Sequence, residues 1–137
     1  MPKLFLIFLG IIIFISCNRK ERSINPVPQP YNTKAVSLID DIANDGELYV
    51  STRGFSGVKS QQYKRYEWIK QSASDGLLVR LTDHKSPVVR IYAYWALRER
   101  GSDMLGSISI KHKNDTAKID IQNGCDVSSV SVNELIR

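Results

Sequence analysis

The chain has 137 residues, 42% of them hydrophobic and 24% charged, with a formal net charge of +5 and two cysteines. That length suits one small domain, and two cysteines exclude a disulfide framework. The positive balance is no nucleic-acid signature: from residue 33 onward fifteen Lys and Arg stand against thirteen Asp and Glu, so no basic domain face is implied.

The first segment, "MPKLFLIFLGIIIFISC", has one positive residue, Lys3, an apolar run of twelve residues and then Ser16-Cys17. Twelve residues fall short of the roughly 20 that span a bilayer and match the apolar region of a signal peptide. Phe14-Ile15-Ser16-Cys17 resembles a bacterial lipobox, with Phe14 where that motif usually has Leu. The resemblance implies a signal peptide over residues 1–16 and lipidation of Cys17. Each buried methylene contributes about 0.8 kcal/mol, so two or three chains hold a protein on a membrane lastingly. Arg19, Lys20 and Arg22 lie next to that anchor and suit anionic head groups. Pro26, Pro28 and Pro30 alternate in the stretch that follows, so residues 17–32 read as the lipidated Cys and a semi-rigid, Pro-rich tether. The folded domain is expected over residues 33–137.

Within it, Ala35, Leu38, Ile39 and Ile42 make one amphipathic stripe, a first helix. "STRGFSG" reads as a break. Tyr63, Tyr66, Ile69 and Ala73 line the face of a second helix, with Trp68 beside them. Ser74 is placed to cap a short third helix carrying Leu77, Leu78 and Leu81 inward. Ser86 and Pro87 start a fourth, as N-cap and first helical residue. On that helix Val88, Val89, Tyr92, Ala93, Trp95, Ala96 and Leu97 cover an arc of about 200°, against the ~100° that a one-sided surface helix needs. It must touch neighbours on two sides.

"LLVRLTDHKSPVVRIYAYWALRERG" resembles a HEAT repeat, the helix–turn–helix unit of alpha-solenoids, in its Leu pair, Leu81, Pro87, Val89-Arg90, Ala93, Ala96, Leu97 and closing Gly101. The family often places an Asp six residues before the Arg. Here that place is His84, with Asp83 one residue earlier, so Asp83 is the partner the resemblance implies for Arg90. One such hairpin cannot bury its own faces, and the first two helices are expected to form a neighbouring layer. In the remainder, Met104, Leu105, Ile108 and His112 suit a short helix, and "AKIDIQNGCDVSSVSV" alternates around Asn123-Gly124, a hairpin signal. The expected fold is mostly α: a short alpha-solenoid, or HEAT-like array of helical hairpins, with a small irregular or β C-terminal tail. The pattern also resembles small HEAT-containing lipoproteins of Bacteroidetes-type bacteria.

Chemistry-bearing residues are sparse. His84 sits in a turn, His112 and Asp115 are three apart, and Cys125 has no base near it in sequence. A catalytic zinc generally takes three protein ligands, and no HExxH or CxxC pattern occurs. The expectation is therefore no catalytic, cofactor or metal site, and a non-catalytic HEAT-like domain for protein contact or assembly. The lipid anchor would hold it in the bacterial cell envelope, facing the periplasm or the exterior. Tyr94, off the deepest apolar stripe and near Arg90 and Arg98, is the candidate for partner contact, whereas Tyr92 and Trp95 read as packing. The alternative is an envelope enzyme, a hydrolase or a metal-dependent one, using His112, Asp115 and Cys125; it requires those three to converge.

Overall fold

A computed structural model of the protein describes residues 29–53 and 58–137. Cys17 and most of the tether lie outside the described residues. The described chain is mostly α, with six helices and a four-stranded mixed sheet. None of these helices is long and apolar enough to cross a membrane.

Helix α1, Gln29–Asp45, starts inside the stretch read as tether. Pro30 falls in its first turn, where a missing amide is tolerated. Ala35, Ile39 and Ile42 turn inward from it, with Leu38 half-buried. Helix α2, Gln61–Ser72, is capped by Ser60, whose Oγ accepts from Tyr63 N at 3.0 Å. Its buried face runs through Gln62, Tyr66 and Ile69 to Ala73, leaving Tyr63 and Trp68 half-buried. Helix α3, Asp75–Leu81, has the expected Ser74 cap, Oγ accepting from Leu77 N at 3.2 Å.

Helix α4, Pro87–Glu99, begins at Pro87 as its sequence implies and ends in a Schellman closure. Gly101 N donates to Arg98 O and Ser102 N to Leu97 O, at 3.1 and 3.0 Å. The closure needs Gly101 at φ +68, a conformation that costs other residues a Cβ clash. Helix α4 packs against α1, α2, α3, α5, α6 and one strand of the sheet, which is why it is apolar on so many sides. Eight of its residues are buried, among them Tyr92 and Tyr94 at 1% exposure. Helices α1 and α2 pack on each other and each on α4.

Residues 51–53, the first part of the segment read as a break, instead continue a strand of the sheet, and residues 54–57 lie outside the described residues. Strand β1, Leu48–Arg53, pairs antiparallel with the two-residue β2, Val58–Lys59, and parallel with β3, Lys118–Gly124. The order is β2-β1-β3-β4, with β4 spanning Asp126–Ser131. The C-terminal hairpin is thus no tail: β3 lies inside the sheet and sends Ile119 and Ile121 into the core beside Leu48. Asn123 pairs with Asp126, leaving Gly124 and Cys125 at the turn. Gly124 has φ +63 and Cys125 a negative φ, the pattern of a type II′ turn. Helix α5, Leu105–His112, precedes the hairpin, and the short helix α6, Val132–Leu135, follows it; α5 buries Ile108 and His112, α6 buries Val132, and Ile136 beyond α6 is buried as well.

Two polar clamps reinforce the packing, one between sheet and helix and one between helices. The buried Tyr92 hydroxyl accepts from Tyr49 N at 2.9 Å and donates to Tyr49 O at 3.1 Å. It occupies a ladder position along β1 that β2, pairing only with Thr52 and Arg53, does not reach. Gln62 Nε2 donates to Ile42 O and Glu47 O, at 3.0 and 3.1 Å, tying α2 to the end of α1.

Candidate functional site

Apart from Cys125, the chemistry-bearing side chains gather where three segments meet: the α3–α4 turn, the end of α5, and the loop from α5 into β3. Asp115 is the hub. Its carboxylate faces Arg90 through Nε at 3.2 Å and Nη2 at 3.3 Å, accepts from Ala117 N at 3.2 Å, and meets His112 Nδ1 at 3.2 Å. Its backbone is held as well, Asp115 N donating to His112 O and Asn133 N to Asp115 O, each at 2.9 Å. Asp115 thus links α4, α5, α6 and the loop that enters β3.

The pairing implied for Arg90 needs correction. Arg90 does not pair with Asp83; it reaches across to Asp115, while its Nη1 donates to the carbonyls of His84 and Lys85, at 2.8 and 3.1 Å. Asp83 instead takes Lys111 Nζ at 2.6 Å and lies 3.5 Å from His112 Nε2. The hydrogen bond from Lys111 holds the Asp83 carboxyl below the usual carboxylate range. Helix α5 folds back beside the turn and brings its own cation to Asp83, leaving Arg90 to the carboxylate on its other side.

His112 is buried with a carboxylate at each ring nitrogen. Two ligands on opposite sides of one ring cannot converge on a single ion. Accordingly, among the described residues no group of three or more His, Cys, Asp and Glu is placed to hold a metal. Cys125 stands exposed at the hairpin turn, beyond the far end of β3 from Asp115. The seven residues of β3 separate them by about 20 Å at the usual rise per residue. The structure therefore brings His112 and Asp115 together and leaves Cys125 apart. What the cluster does chemically is cross-link these segments through an ion pair and hydrogen bonds, some of them charge-assisted.

The contact candidates divide differently. Tyr94 is buried, its hydroxyl donating to Arg137 O and lying 3.3 Å from Ser109 Oγ, so it cannot touch a partner. It lies off the deepest stripe, but α5 and the C-terminus cover that side of α4. Arg90 is occupied by Asp115 and the turn. Arg98 alone stays exposed. Tyr92 and Trp95 pack with Tyr66, Tyr92 stacked on it at 4.7 Å and 19°, Trp95 edge-on at 6.4 Å.

Sequence reasoning missed Gln62, whose signal was its place on the 62/66/69/73 stripe. The hairpin was expected, but not that its second strand would form an edge of a larger sheet. Strand β4 is the last of the sheet, with Val127 60% exposed and Ser128 and Ser129 in solvent. Its register with β3 runs unbroken from Lys118↔Ser131 to Asn123↔Asp126. Beyond Asp126 at its start it carries no charged residue, and it has no Pro and no bulge, devices that commonly protect a sheet edge. Comparison of the chain with protein-family models, with curated proteins and with solved structures finds no match.

Proposed function

We propose that this chain is a lipid-anchored protein of the bacterial cell envelope, tethered through Cys17, whose domain is a non-catalytic HEAT-like module for protein contact or assembly. The observation that carries the contact role is the outer edge of β4, along which no further strand pairs among the described residues. An unprotected edge offers main-chain donors and acceptors to an added strand, a recurrent mode of peptide recognition. The polar cluster supports the non-catalytic reading, because Asp115, Arg90 and His112 are engaged in holding elements together. The HEAT-like part of the reading rests on the α3–α4 hairpin with its Pro87 start and Gly101 closure. The anchor rests on the lipobox-like "FISC" and the short apolar run before it.

The contact role is tested by photo-crosslinking from position 127 in the native membrane. Adducts are expected with the parent chain and are expected to be lost when Ser129→Lys adds an edge charge. Adducts unchanged by that charge would sink the edge as the docking surface. The anchor is tested separately by metabolic labelling with a palmitate analogue. Equal incorporation in the parent chain and Cys17→Ala would refute it.

A further inference from the structure

The start of α4 is held in an unusual way. Ser86 is its N-cap, yet the Ser86 side chain makes no cap hydrogen bond, and Pro87 brings no amide. The Ser86 N–H instead donates to His84 Nδ1 at 3.1 Å. A reciprocal capping residue at the third helical position would normally take that amide, but the residue there is Val89. For Nδ1 to accept, it must carry a lone pair, so the ring proton sits on Nε2 and the imidazole is neutral.

We propose that the α3–α4 turn is a proton-sensitive latch, in which neutral His84 holds the Ser86 amide and protonated His84 releases it. Protonation places an N–H at Nδ1 facing the Ser86 N–H, two donors with no acceptor between them, and the ring must swing away. The surroundings make neutrality the resting state. Burial is the largest influence and pushes the imidazole below its ordinary range; Lys85 in the turn and Arg90 from α4 push the same way, and Asp40 from α1 opposes them. Asp115 lies beyond Arg90 and binds its other nitrogens.

The sign follows from linkage. The folded turn binds a proton less readily than the unfolded chain, whose imidazole titrates near ~6.5. The contribution of the latch is fully present above that value and is lost as pH falls through the lower folded value. Because Arg90 grips the His84 and Lys85 carbonyls and Asp115 at once, loosening the turn is felt at the loop into β3.

Hydrogen exchange of the full-length protein, read by NMR at the Ser86 amide and corrected for intrinsic rate, tests the latch. Between about pH 7.5 and 4.5 protection should drop about two- to tenfold, the equilibrium worth of one hydrogen bond, while amides in the middle of α4 keep theirs. In His84→Asn, whose side-chain oxygen accepts at every pH, the drop should vanish. A flat profile in the parent chain, or an equal drop in His84→Asn, overturns the proposal. A second readout needs no variant: the 15N shift of His84 Nδ1 and the Ser86 amide shift should titrate with one midpoint. Separate midpoints would equally overturn it.

Discussion

Removing one oxygen atom from the centre of the domain should test how the sheet is attached to the helices. Tyr92→Phe keeps the ring, its stacking on Tyr66 and its edge contact with Trp95, and so conserves the packed volume. What it loses is the hydroxyl that serves both Tyr49 N and Tyr49 O, at 2.9 and 3.1 Å, in a site with 1% exposure. Each such bond contributes about 0.5–1.5 kcal/mol net, and depriving a buried backbone group of its partner costs about 1–3 kcal/mol. A loss of about 2 kcal/mol is expected, a large part of the 5–15 kcal/mol that typically stabilises a small domain. Tyr66→Phe is the control, because the Tyr66 hydroxyl donates to Glu99, a half-exposed carboxylate, at 2.6 Å. With that carboxylate open to solvent and still paired with Lys70, the change should cost about 0.5–1 kcal/mol. Urea unfolding followed by circular dichroism, with the denaturant slope held in common, measures both. If Tyr92→Phe were no more costly than Tyr66→Phe, the hydroxyl would not be what holds β1 to α4.

Leu97→Ala, at a site with no exposure, should cost about 2–5 kcal/mol through the cavity it leaves; a melt within a degree or two of the parent chain would show α4 to be peripheral. A double-mutant cycle of Arg90→Ala and Asp115→Asn should give a coupling of about 1–3 kcal/mol, between exposed and buried pairs, since these side chains are 13% and 20% exposed. A coupling below about 0.5 kcal/mol would show that the hub is not energetic. Asp83 and Glu99 have carboxyls held low by hydrogen bonds from Lys111 and Lys70, so their contribution is present above the unfolded carboxylate range and is lost as pH falls through the lower folded values. Both are about half exposed, so acid titration of stability should show only a few tenths of a kcal/mol from each below about pH 4. That portion should flatten in Asp83→Asn and Glu99→Gln; an unchanged acid limb would place it elsewhere.

The helices of the middle region were legible because their signals are local. Ser74 bonds an amide three residues on, Pro87 opens a helix that does not need its amide, and Gly101 supplies the positive φ that ends it. The unusual breadth of apolar surface on α4 likewise announced an inner helix from its spacing alone. The hairpin signal around Asn123-Gly124 was also local, and the turn formed there.

What no local pattern carries is which distant surfaces meet. Strand β1 is short and followed by a Gly-containing segment, and it becomes a strand because Leu48 aligns with Ile121, a partner far along the chain. Arg90 had Asp83 closer in sequence, yet α5 returned with Lys111 to take that carboxylate and presented Asp115 instead. Tyr94 is polar-tipped and off the deepest stripe, and it is buried only because α5 and the C-terminus close over it. Propensity and capping act between residues three or four apart, so one sequence window contains them. The choice of strand partner, ion-pair partner and covered face is made by packing whole elements together, after loop closure has cost its entropy, and only the tertiary structure contains it.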